Sequence, residues 1–194
     1  MKRYEVEVKG VTPLLQHRMI EEELFALLGA KSGRKKDKEE LTPREIADKY
    51  AYRNGETFCV PNAYLIGAFK NVASEYKQKN SQRKSLKGIA AGILRPENEF
   101  ADLTNHKNEP LTSFEVDVRK ATNHQKGAVA VCRPRFDEWK LKTTFMIDDE
   151  LVSPDTVLDM LNDAGKRSGI GSFRIAKGGY FGSFVVTEFK ELKN

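Results

Sequence analysis

The sequence predicts an α+β fold of the ferredoxin-like (RRM-like) type: an antiparallel sheet with two helices on one face and inserted loops between the elements. Three observations lead there: strict alternation near the start of the chain, two segments with apolar residues at helical spacing, and the order strand, helix, two or three strands, helix, strand. The 194 residues fit a single domain, 1–194, long enough to bury a real core. The extra length falls at 29–56 and 77–113, which read as insertions or loops.

Tyr4, Val6 and Val8 alternate with Arg3, Glu5, Glu7 and Lys9, the pattern of a half-buried strand. After Thr12-Pro13 and Leu-Leu-Gln-His-Arg, residues 21–28 have a short helical pattern that Gly29 can end. Residues 31–40 are almost wholly charged and are expected to form a mobile loop. Thr42-Pro43 opens a helical turn toward Tyr52, and Asn54-Gly55 marks a tight turn before a strand at 57–60. Asn62 is placed to cap a helix whose apolar positions are Leu65, Ile66, Phe69, Val72, Ala73 and Tyr76.

Phe114, Val116 and Val118, then Val129 and Val131, alternate as two strands joined by an exposed connection. Arg133-Pro134-Arg135 reads as a break, after which Trp139, Leu141, Thr143, Phe145 and Ile147 mark one face of a longer strand. Ser153 and Pro154 open a second helix with a stripe of Val157, Leu158, Leu161 and Ala164, which Gly169 can terminate. A last strand is expected at 183–190.

Lys and Arg number 33 against 28 Asp and Glu, a formal charge of +5, so distribution matters more than total. Three stretches hold cations without an acid: 77–95, with Arg83, Lys84 and Lys87; 118–136, with Arg119, Lys120, Lys126, Arg133 and Arg135; and 164–187. They either line one groove or point different ways as solvated faces. The two cysteines, Cys59 and Cys132, sit in apolar stretches and lack zinc spacing, which favours buried thiols and a reducing compartment. The start of the chain lacks the apolar core of a signal peptide, and no run is long enough to span a bilayer, so a cytoplasmic protein without a membrane partner is expected. Neither a metal nor a cofactor is expected: paired Asp148-Asp149 reads as the turn before a helix.

Between the second helix and the last strand, residues 164–184 hold six glycines, four cations (Lys166, Arg167, Arg174, Lys177) and the aromatic residues Phe173, Tyr180, Phe181 and Phe184. Glycine lets backbone approach a ligand, cations neutralise phosphate, and rings offer faces for unpaired bases. The same glycines also serve plain punctuation: a helix end, a turn and a hairpin. The segment is no Walker loop, since Gly-x4-Gly-Lys-Ser/Thr is absent, and it misses the aromatic strand motif of RNA-recognition domains. A flexible basic strap is the expectation.

The strand-first Val-Thr-Pro-Leu-Leu-Gln-His-Arg and the terminal Gly-Ile-Gly-Ser-Phe-Arg…Lys-Gly-Gly-Tyr-Phe-Gly-Ser-Phe resemble the RAMP superfamily, RNA-binding backbone and processing proteins of CRISPR systems with a glycine-rich loop after the last helix. They also resemble small phage and prokaryotic proteins with the same two ends. The resemblance implies a non-catalytic binder of single-stranded RNA or DNA that coats its strand as a homo-oligomer. It places Lys166, Arg167, Arg174 and Lys177 beside the strand. For such a binder Phe173 or Tyr180 is a candidate stacking platform, His17 and Arg18 of the first motif are further contacts, and the acid-free stretches add Arg83, Lys84, Lys87, Arg133 and Arg135. Processing members often use a His near the first helix, so the alternative is a metal-independent endoribonuclease in which His17 works on the 2′-hydroxyl. A structural or inhibitory module that meets an acidic protein is a third reading.

Overall fold

The computed structural model describes residues 1–29, 41–81, 83–122 and 128–193. The charged stretch 31–40, His124 and Lys126 lie outside the described residues. In chain order the elements are β1 (Lys2–Gly10), β2 (Leu14–Leu15), α1 (Glu21–Leu27), α2 (Pro43–Lys49), β3 (Arg53–Asn54), β4 (Thr57–Pro61) and α3 (Ala63–Val72). Then come α4 (Ala90–Ile93), β5 (Leu94–Pro96), β6 (Phe100–Thr104), β7 (Glu115–Thr122), β8 (Ala128–Phe136), β9 (Lys140–Ile147), α5 (Pro154–Arg167) and β10 (Phe184–Leu192).

The main sheet runs β10-β1-β9-β6-β4-β3, and β5 joins β9 on the same edge as β6. All its pairings are antiparallel, and α3 and α5 pack together on one face, which is the α+β ferredoxin-like arrangement. The stretch 77–113 is therefore not loop throughout: 94–104 supplies the strand position beside β9. Alternation in β1 buries Tyr4, Val6 and Val8 against Phe145 and Ile147 of β9, and α3 adds Leu65, Phe69 and Val72. Each such side chain contributes about 1.5–3 kcal/mol on full burial. In α5 the buried stripe is Val157, Met160, Leu161 and Ala164, while Leu158 is only half-buried.

The opposite face of the sheet is a lattice of ion pairs. Lys142 bridges Glu5 at 3.3 Å and Glu188 at 2.8 Å, and Lys140 meets Glu7 at 2.8 Å. An RNA-recognition sheet presents aromatic rings there.

A second sheet, β2-β8-β7, stands beside the first. Arg133-Pro134-Arg135 is not a break but part of β8. Pro134 pairs with Val116 on β7, and on its other side its carbonyl accepts from Gln16 N–H at 3.1 Å where β2 ends, so its missing N–H does not interrupt a longer strand. Phe58, Phe114 and Phe136 form a small aromatic core beneath it, with ring centroids 5.0–6.5 Å apart. Asn62 does not cap α3. Its backbone is already helical, and its buried amide donates instead to Asn98 O at 2.8 Å and Thr143 Oγ1 at 2.9 Å, pinning the helix start to β9.

Candidate nucleic-acid interface

The glycine-rich segment leaves α5 through Gly169, whose N–H donates to Ala164 O at 2.9 Å with φ at +65°. From there it is sewn to residues 11–15. Ser172 N–H reaches Leu15 O at 2.7 Å, Gly182 N–H reaches Pro13 O at 2.8 Å, and Val11 N–H reaches Ser183 O at 2.8 Å. Within the strap, Ile170 N–H donates to Gly182 O at 2.9 Å. Gly182 has φ at +69°, and a Cβ there would overlap the Ile170 carbonyl. Gly179 has the same requirement: a Cβ would overlap the Phe173 carbonyl. The expected flexible strap is thus an ordered one, because its glycines permit backbone-to-backbone approach on both sides. The two parts of the chain that carry the family resemblance, 11–18 and 169–184, are one surface.

On this surface the strap turns two rings outward. Phe173, 40% exposed, holds φ at +51°, a left-handed conformation uncommon outside glycine, and Tyr180 is 57% exposed. Tyr180 stacks on buried Phe181 with centroids 4.3 Å apart. Arg119 of β7 lies over the same group, its guanidinium carbon 4.7 Å from the Phe181 centroid, 5.7 Å from Tyr180 and 6.0 Å from Phe173. Buried Asp117 orients it, accepting from Arg119 Nε at 2.8 and 2.9 Å, and that bond holds the guanidinium pKa above its ordinary value. Arg119 and Asp117 were missed as site residues. An Asp-x-Arg on alternate positions of one strand puts both on one face, a signal that was present in the sequence.

Arg174 is half-buried and its Nη1 donates to Gly171 O at 3.1 Å, so it both braces the strap and charges it. Lys177 is exposed on the strap, whereas Lys166 is exposed on the last turn of α5, ahead of it. Arg18 is exposed at the end of the 11–18 segment, and its N–H donates to Tyr50 O at 2.9 Å. Among the described residues, Arg18, Arg133, Arg174 and Lys177 have no carboxylate within ion-pair distance.

His17 stacks on Tyr50, with centroids 4.2 Å apart and planes 12° from parallel. Burial first, then the charge of Arg133, lowers its pKa from 6.5, and Glu23 opposes them. The Tyr50 hydroxyl donates to Glu23 at 3.1 Å, and burial pushes that phenol up to about 12. Gln16, missed in the sequence, is fully buried and spans two chains of contact, donating to Cys59 O and accepting from Tyr52 N–H, both at 2.8 Å.

Other expected contacts do not join this surface. Arg167 is held by Glu75 at 2.5 Å and Asp163 at 2.7 Å, where it ties α5 to the end of α3. Arg135 is turned to Asp137 at 2.6 Å. Arg83, Lys84 and Lys87 belong to a loop fastened near the start of α5, where Lys79 N–H donates to Leu151 O at 2.9 Å. The strap leaves the other end of that helix, about 21 Å away for 14 residues. Among the described residues, the second and third of the three acid-free stretches meet through Arg119 and the strap rings.

Among the described residues no group of three or more His, Cys, Asp or Glu could hold a metal ion, and no helix is long and apolar enough to cross a membrane. No family model matches the chain, and no curated protein matches it. Among solved structures, a chain of a "Type IV-B CRISPR Complex" is similar at a TM-score of 0.46 and 10% identity, over 97% of this chain and 90% of that one. At that score and identity the likeness is one of outline, and it assigns no function.

Proposed function

We propose that the protein binds single-stranded nucleic acid, RNA or DNA, without cleaving it, along the surface formed by the strap, residues 11–18 and the β7–β8 hairpin. The observation that carries this is the set of two outward rings, Phe173 and Tyr180, on a backbone fixed by glycine-dependent contacts, beside a guanidinium held by a buried carboxylate. Exposed rings on a rigid base stack unpaired bases, and cations around them neutralise the backbone between bases. Duplex DNA keeps its base faces covered and would meet only the charges. The RAMP-like combination of Pro-Leu-Leu-Gln-His-Arg with a terminal glycine-rich loop agrees with a backbone-type role, in which copies lie side by side along one strand.

His17 serves binding in this reading. The hydroxyl of Tyr50, the ring it stacks on, is committed to Glu23 and carries a raised pKa, which makes it a poor partner for acid–base work on a 2′-hydroxyl. The test is anisotropy of labelled 15-mers of U and dT against a matched duplex, followed by gel analysis in EDTA. Tight, salt-sensitive binding of the single strands, which stay intact, is expected. Equal affinity for the duplex, or cyclic-phosphate products lost in His17→Ala, would overturn it.

A further inference from the structure

Strand register sets His17 against Arg133. Leu14 pairs with Phe136, Leu15 with Arg135, and Gln16 N–H donates to Pro134 O, so the next position along the same antiparallel register is His17 opposite Arg133. On the other side of Arg133 stands Asp117. Residues paired across strands project to one face, so the three make a row that ends two residues from Arg119.

This row is short of acceptors. Arg133 Nε and His17 Nδ1 are sealed from solvent and have no hydrogen-bond partner among the described residues, while both side chains as a whole are half-buried. Asp117, the carboxylate of the row, is taken by Arg119. Around His17, the residue that follows α2 contributes the Tyr50 ring, α1 contributes Glu23 bound to the Tyr50 hydroxyl, and β8 contributes Arg133. Two arginines therefore face one buried carboxylate, with a titratable imidazole beside them. Within the row, Arg119 and Arg133 share the single carboxylate of Asp117; Glu23, the other acid near His17, is bound to the Tyr50 hydroxyl.

We propose that this row is a phosphate subsite, in which one phosphodiester of the bound strand sits between Arg133 and His17 and His17 takes up a proton as it arrives. The proposal rests on the nucleic-acid reading above and gives it a regulation: strand affinity is linked to pH. Burial and the charge of Arg133 lower the pKa of the free imidazole, which favours its neutral form. A phosphate in contact favours the charged form. Affinity therefore rises as pH falls through the window between the free and bound values, about tenfold for each pH unit that separates them. No bond is made or broken; one proton moves from solvent to imidazole.

Two measurements test it. Anisotropy with a labelled U 15-mer from pH 8 to pH 5.5 should show affinity rising with uptake of up to one proton, flat in His17→Gln, and weaker at every pH in Arg133→Gln. Separately, the His17 ring signals of the unaltered protein are titrated by NMR with and without inorganic phosphate, which should raise the ring's pKa. Salt-sensitive strand binding that ignores pH in the unaltered protein, or an equal slope in folded His17→Gln, would overturn the subsite and leave the binding reading intact. If no strand binds at any salt concentration, the binding reading fails, and the NMR titration decides the subsite alone: a ring pKa indifferent to phosphate removes it.

Discussion

Replacing Lys177 by Ala removes one exposed charge from the strap without touching a hydrogen bond that holds the strap in place. Four cations of the proposed surface, Arg18, Arg133, Arg174 and Lys177, lack a carboxylate among the described residues, whereas Arg119, Arg135 and Arg167 are already paired. Each phosphate contact on a single strand releases about 0.7 counterion, so four give a slope of log affinity against log salt of about −2.8. Going from about 50 mM to about 200 mM salt then costs the unaltered protein roughly 50-fold in affinity, and Lys177→Ala, with a slope of about −2.1, roughly 18-fold. Anisotropy titrations of a labelled dT or U 15-mer at five salt concentrations resolve that difference. Arg167→Ala is the control and should keep the full slope. An unchanged slope in Lys177→Ala, or a slope reduced as much by Arg167→Ala, would refute the assignment of these charges.

Phe173→Gly keeps the left-handed backbone while deleting the ring, and Tyr180→Ala deletes the other; each should weaken strand binding by about 1–3 kcal/mol with little preference among bases, read by the same titration. Gly182→Ala places a Cβ on the Ile170 carbonyl at positive φ. Left-handed backbone alone is unfavourable by about 1–3 kcal/mol, so the melting temperature should fall by about 2–4 °C for each kcal/mol. Folded-state burial lowers the pKa of His17, so its contribution to stability is present above the unfolded value near 6.5 and is lost as pH falls toward the lowered folded value. Thermal melts from pH 8 to pH 5 should show that loss, and His17→Phe should abolish it.

The fold was legible where periodicity is local. Alternation at Tyr4, Val6 and Val8 and the stripe of Val157, Leu161 and Ala164 depend on neighbours a few residues away, and those elements stand where the pattern puts them. The strands at 94–104 are not legible because each is short, and their pairing to β9 is decided by residues far along the chain, such as Ile147 for Leu94 and Lys140 for Thr104. Pro134 misled because a proline breaks a strand only when its missing N–H faces a partner, which depends on where β2 ends. For the candidate surface, residue type picks out the rings and cations of the strap but not which cations the fold neutralises. Arg167 and Lys177 look equivalent in sequence. They differ because Glu75, far away in the chain, folds back onto one of them.

The stitching of the strap to residues 11–15 has a consequence for how the molecule is made. β1 lies between β9 and β10, and the proposed surface joins the thirteenth residue to the hundred-and-eighty-second. Such distant closures form late and slowly, after loop entropy has been overcome. On a ribosome the first strand emerges without either of its neighbours and must wait, and the outward rings have no fixed base until the last strand is synthesised and in place. Under the proposed function, a growing chain is thereby kept from capturing the messenger that encodes it.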